Sequence, residues 1–328
     1  MNMKKRIIFL INVIIVLLIF TLIASSCGTT TNGETNHSNN SSTISQRTDD
    51  NTSTTQNTDT NKQTDDKQTS SSGANDNIPT EYKDALKKAE SYSNNLHMSK
   101  EGIYDQLISA YGDNFTTNAA QYAIDNLVAD YKLNALKKAE SYSNNLHESK
   151  QSIYDQLTSS YGEKFTAEEA LYAVDNLVAD YKFNALKKAE SYSNTLHESK
   201  QGIYDQLTSS YGEKFTIEEA QYAVDNLVAD YKINALKKAE SYSNTLYMSK
   251  QGIYDQLVSR YGENFTAEEA QYAVNNLVAN YKFNALKKAE SYSNNLHMSK
   301  QDIYDQLISK YGDQFTTEEA QYAIDNID

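Results

Sequence analysis

Four of the five histidines occupy one position of a recurring pattern, His97, His147, His197 and His297, and a row of imidazoles is the first place to look for acid–base or metal chemistry. The fourth copy argues against both, because Tyr247 stands there. A general base or a metal ligand loses its role when it becomes a phenol, whereas an amphipathic residue packed at a helix end does not. The paired carboxylates Glu168-Glu169 are neighbours on a helix and diverge by about 100 degrees, so they are no preset acid–base pair. One is expected to cap the helix and the other to be solvated. The sequence holds no run of alternating oxygen ligands around a glycine for calcium, no phosphate loop and no nucleophile paired with a base. A non-enzyme without cofactor or metal is the expectation.

What remains is acidity. The chain carries a net charge of −14, and the five copies described below contribute −2, −3, −3, 0 and −4 in order. Arg260 is the only arginine after Arg47, and Glu168 to Asn176, the segment that would serve as a recognition helix, has no Lys or Arg. Nucleic acid is excluded as a partner on that ground, since phosphates and guanine are met by cations. A cationic partner fits better, and the candidate binding surface is Glu168, Asp175, Asp180, Glu218, Asp225, Asp230, Glu318 and Asp325. Repeat four, with Asn275 and Asn280 where repeats two and three have Asp, should contribute least. Acidity that merely maintains solubility is the alternative.

The single cysteine forms no disulfide framework. Lys4-Lys5-Arg6, an apolar run from Ile7 to Ile23 and Ala24-Ser25-Ser26-Cys27 read together as an export signal. The small residues before Cys27 resemble a bacterial lipobox, which would make residues 1–26 the signal peptide and Cys27 the lipidated first residue. Ala24 departs from the Leu usual there, and cleavage after Ser26 or an uncleaved anchor is the alternative. Either way residues 28–328 are exported, with the dense positive charge kept inside. Residues 27–79 read as a disordered polar stalk of Ser, Thr, Asn, Asp and Gln, with a reach of roughly 40 Å.

The elements that must position the acidic residues come from a 50-residue repeat, ALKKAESYSNxLHxSKxxIYDQLxSxYGxxFTxxxAxYAxxNLVAxYKxN. Its copies span 85–134, 135–184, 185–234, 235–284 and a shortened 285–328. The expected fold is all-α, a tandem array of five helix-turn-helix-like repeats in which each unit relies on its neighbours. Ser149 caps a short helix along Ile153, Leu157 and Tyr161, and Gly162 is expected to end it in the left-handed conformation. Thr166 with Glu169 forms a capping box that recurs at Thr216, Thr266 and Thr316, while repeat one has Ala119 and should start this helix less firmly. Apolar spacing then runs unbroken from Ala170, Ala173, Val174, Leu177, Val178 and Tyr181 to Ala185, Ala189, Tyr192 and Leu196. It predicts one long helix over about 167–196, shared between repeats, with a kink near Asn184 as the alternative. The Lys pairs, Lys87-Lys88 and their copies, are expected on its solvated face.

With its lipobox-like start, polar stalk and repeated ALKKAESYS, SKxxIYDQL, SxYGxxFT and AxYAxxNLVADYK blocks, the chain resembles the Ltp family of host cell surface-exposed lipoproteins. The resemblance implies a Gram-positive source, a membrane contact through the lipid on Cys27 and helical repeats on the extracellular face. It further implies superinfection exclusion, in which DNA injection by an incoming phage is blocked, with the tail tape measure protein or another injection component as partner. Five copies instead of the short form's two leave a second function open, a surface scaffold or adhesin that holds a host or cell-wall ligand.

Overall fold

The computed structural model describes residues 78–327, so Cys27, the signal and most of the expected stalk lie outside the described residues. Helices occur in threes: α1 (Thr80–Leu96), α2 (Lys100–Ile108) and α3 (Thr117–Asn126); α4 (Tyr131–Leu146), α5 (Lys150–Thr158) and α6 (Ala167–Asn176); α7 (Tyr181–Leu196), α8 (Lys200–Thr208) and α9 (Ile217–Asn226). The fourth and fifth sets are α10 (Tyr231–Leu246), α11 (Lys250–Val258) and α12 (Ala267–Asn276), then α13 (Tyr281–Leu296), α14 (Lys300–Ile308) and α15 (Thr317–Asn326). The fold is all-α, five tandem repeats of 50 residues.

In each unit the long first helix packs along the third, and the short second helix crosses both. Ala135 and Ala139 on α4 meet Ala170 and Ala173 on α6, and these small side chains let the two backbones approach closely. Ile153 and Leu157 from α5, with Phe165 and Val174, fill the remaining volume. Together these bury the apolar stripe that the spacing announces.

Local chemistry sets the helix ends. The Ser149 hydroxyl accepts from Ser152 N, and Thr166 and Glu169 form the expected capping box, as do Thr216, Thr266 and Thr316 with their glutamates. Repeat one is better capped than its missing glutamate suggests. Thr116 Oγ1 still accepts from Ala119 N, and Glu81 reaches over from α1 so that Thr116 N donates to its Oε1 at 2.9 Å.

The long shared helix is not there. Helix α6 stops at Asn176, Leu177 is extended at φ −68° and ψ 124°, and Asp180 starts α7 by accepting from Phe183 N. Leu177 and Tyr181 flank the break, yet both pack on the same core, so the apolar spacing runs through it without a change of phase. Val178 does not share that core and is 97% exposed. The glycine assignment also changes. Lys164, two residues on from Gly162, takes the left-handed conformation at φ 58°, and Tyr161 is fully exposed instead of extending the apolar stripe of α5. Gly162 is needed because a Cβ there would lie 2.6 Å from the Gln156 carbonyl oxygen.

Candidate functional site

The acidic residues fall into two kinds by position. Glu168 and Asp175 lie seven residues apart on α6 and so share one face, about 10 Å from each other along the helix. Glu218 and Asp225 do the same on α9, and Glu318 and Asp325 on α15. Asp180 and Asp230 stand off these faces, in the links that follow, where their side chains cap α7 and α10.

The strip is acidic but mostly partnered. Lys132 Nζ lies 2.7 Å from Glu168, Lys182 2.6 Å from Glu218 and Lys282 2.6 Å from Glu318, and the same pair in repeat four is Lys232 with Glu268. Each of these lysines also sits over a tyrosine ring, as Lys132 does over Tyr172 at 5.7 Å. The hydrogen bond from its lysine, reinforced by the opposite charge, holds each of these glutamates below the usual carboxylate range. Asp175 pairs with Lys150 and Asp225 with Lys200, whereas Asp325 accepts only from Gln321 and Lys300 turns to the Ile327 carbonyl. Repeat four has no such pair at this end, because Asn275 replaces the aspartate and accepts from Gln271.

Exposed apolar side chains flank the strip, Tyr161 and Val178 of the expected apolar spacing among them. Tyr111, Tyr161, Tyr211, Tyr261 and Tyr311 stand in the turn before each third helix, and Val128, Val178, Val228 and Val278 in the link after it. All nine are largely or wholly exposed. The apolar count could not separate them from core residues, since they keep the helical spacing of the stripe while the helix itself has already ended.

The second lysine of each pair stays exposed in repeat one, as Lys88, but is partly covered in the other four. Lys138 pairs with Glu163 at 3.0 Å, and Tyr142 Oη donates to the same carboxylate at 2.7 Å. Burial, then the neighbouring Glu163, pushes the Tyr142 hydroxyl far above its ordinary pKa. Tyr92 with Asp113, Tyr192 with Glu213, Tyr242 with Glu263 and Tyr292 with Asp313 repeat the arrangement. Such a tyrosine holds its proton tightly and fastens the glycine turn to the long helix. It supplies neither nucleophile nor base.

The histidines end the long helices. His97, His147, His197 and His297 are left-handed C-caps at φ 52° to 54°, and Tyr247 takes the same conformation at φ 51°. His147 packs edge-on against Phe183 with ring centroids 5.9 Å apart, and Tyr247 does so against Phe283 at 6.1 Å. In these two copies the capping ring packs on the phenylalanine 36 residues on, a contact that a phenol makes as an imidazole does. Among the described residues no three of His, Cys, Asp and Glu stand close enough to hold a metal ion, and no helix is long and apolar enough to cross a membrane.

The family model for host cell surface-exposed lipoproteins matches five times, over residues 80–127, 130–177, 180–227, 230–277 and 280–327. Among solved structures the chain is similar to Ltp, a superinfection exclusion protein from the Streptococcus thermophilus temperate phage TP-J34. Identity is 44%, over 31% of this chain and 99% of that one, with a TM-score of 0.29. No curated protein matches.

Proposed function

The chain belongs to the family of host cell surface-exposed lipoproteins, and from that premise we propose that it is a non-enzymatic binding protein, held at the membrane by a lipid on Cys27, that acts in superinfection exclusion. Its repeats would meet an incoming phage component, the tail tape measure protein or another part of the injection apparatus, and stop genome entry. The stalk of residues 27–79 would carry them clear of the membrane surface.

The observation that carries this reading is the outer face of the third helix with its two flanking turns. It offers Glu168 and Asp175 between exposed Tyr161 and Val178, and the neighbouring repeats offer the same set with few changes. Its ion pairs are exposed and weak, so a cationic segment can displace the resident lysines at small cost while its apolar residues meet Tyr and Val. Repetition raises the effective concentration for a ligand long enough to span several copies.

The test is phage plating and DNA entry on a susceptible host expressing the chain, with adsorption scored separately. Cys27→Ser and a Glu168→Lys/Glu218→Lys/Glu318→Lys form run beside the parent. Normal adsorption with reduced DNA entry, lost in Cys27→Ser and weakened in the charge-reversed form, is the expected result. Normal entry of a broad phage panel despite surface exposure would sink exclusion and leave a scaffold or adhesin for a wall or host ligand.

A further inference from the structure

Neighbouring repeats are joined by the same few bonds each time. Ser99, Ser149, Ser199 and Ser249 are buried to 1% exposure, and each hydroxyl donates to a carbonyl oxygen of the next repeat, at Glu163, Glu213, Glu263 and Asp313, over 2.5 to 2.6 Å. In the other direction Asn134, Asn184, Asn234 and Asn284, all buried on the long first helix of their set, reach back into the preceding set of three helices. Each Nδ2 donates to a serine hydroxyl and to a carbonyl oxygen, as Asn134 does to Ser93 at 2.9 Å and Met98 O at 3.0 Å. Three residues after each joining serine the side chain is absent or small: Gly102, Ser152, Gly202 and Gly252. A Cβ at the glycines would lie 3.6 to 3.7 Å from the carbonyl of the next repeat, and the Ser152 hydroxyl donates to that carbonyl at 2.9 Å.

Both ends of the array depart at these positions. Asp302 stands where the other copies have Gly or Ser, and the Ser299 hydroxyl donates to its Oδ2 at 2.6 Å instead of reaching outward. Asp84 stands where the others have the joining asparagine; it is exposed, with Lys87 at 3.8 Å. We propose that Asp84 and Asp302 are stop residues, which close the joining faces of the first and fifth repeats against end-to-end docking of a second copy of this chain.

The chemistry is that of acceptors meeting acceptors. A second copy seated on the fifth repeat as repeats seat on one another would bring its Asp113 carbonyl against the Asp302 carboxylate, with the Ser299 proton already taken. Its Asp84 would face the Met298 carbonyl without the N–H that asparagine supplies. Burying either carboxylate without a donor is unfavourable. An open repeat face otherwise invites the neighbour it was built for, which is why the outer faces of terminal repeats differ from inner ones.

Sedimentation of the full chain in detergent, wild type beside Asp84→Asn/Asp302→Gly, tests the proposal. The wild type should stay monomeric across the concentration range and the double variant should associate as concentration rises. Self-association of the wild type, or a double variant that sediments identically, overturns it. The reverse exchange gives a second reading: Gly202→Asp should speed amide exchange across the joint between repeats three and four by at least about tenfold, with Gly202→Ser as the folded control. Equal protection in the two would also overturn it.

Discussion

At the joint between repeats three and four a carboxylate is buried, as the Glu148 carboxylate is at the joint between repeats two and three. Glu198 follows the His197 cap, and its Oε2 is buried without a hydrogen bond. Lys238 of the next repeat faces it but is committed to Glu263 at 2.8 Å; Glu263, Asp205 and Arg260 share the cleft. Burial pushes its carboxyl up to about 7 from the ordinary 4.5, Lys238 opposing and Glu263 adding to the effect. A folded pKa above the unfolded one means that the folded state binds the proton more tightly. Stability from this group is therefore present below about pH 4.5 and is lost as pH rises to about 7. The separation of the two values corresponds to at most about 3 kcal/mol. Met98, Met248 and Met298 occupy this position in other repeats, so Glu198→Met is a change the fold already accommodates. The variant should stabilise the joint by about 3 kcal/mol at pH 8 and by under about 1 kcal/mol at pH 5, read by urea unfolding and by amide exchange in α8 and α10. An equal gain at both pH values would refute the charge-burial argument, and no gain at either would show that Oε2 is satisfied in solution.

Two further outcomes follow from the same geometry. Gly212→Ala should destabilise its repeat by roughly 1 to 3 kcal/mol, because the added Cβ would lie 2.4 Å from the Gln206 carbonyl oxygen. Gly212→Asn should be no better; thermal unfolding showing asparagine tolerated where alanine is not would restore a left-handed glycine. Asn184→Ala removes the donor to Ser143 Oγ and Glu148 O inside a buried joint, at a cost of roughly 1 to 3 kcal/mol. Faster amide exchange should be confined to residues near that joint, and unchanged protection there would deny the asparagine its role.

The copies made the fold legible. Period, helix class, serine caps and capping boxes all rest on interactions within a few residues, and these the sequence displays directly. The errors share a cause, which is that long-range contacts leave no local mark. Leu177 and Tyr181 keep helical phase because both return to one core, so the break between them is invisible to periodicity. Glu81 rescues the first repeat's cap from 35 residues away. Lys138 looks like a surface residue until the turn carrying Glu163 folds over it. Six of the eight acidic candidates share third-helix faces as their seven-residue spacing requires, but that lysines from the preceding long helix would sit on the glutamates, and that Tyr161 and Val178 would stand out beside them, needed the tertiary structure.

The differences among the copies carry information that the consensus hides. Lys164 pairs with Asp105 across the first joint and Lys214 with Asp155 across the second, and Gln314 donates to Asp255 across the fourth. At the third, Asn264 stands opposite Asp205, which accepts only from Gln201 of its own helix. Glu198 is buried at this joint, as Glu148 is at the second. In a chain of units each held by its neighbours, cooperativity runs only as far as the weakest joint. Near-identical cores therefore do not make a uniform array: on these contacts the first three repeats and the last two are the natural blocks, separated by the joint that lacks this additional side-chain pair.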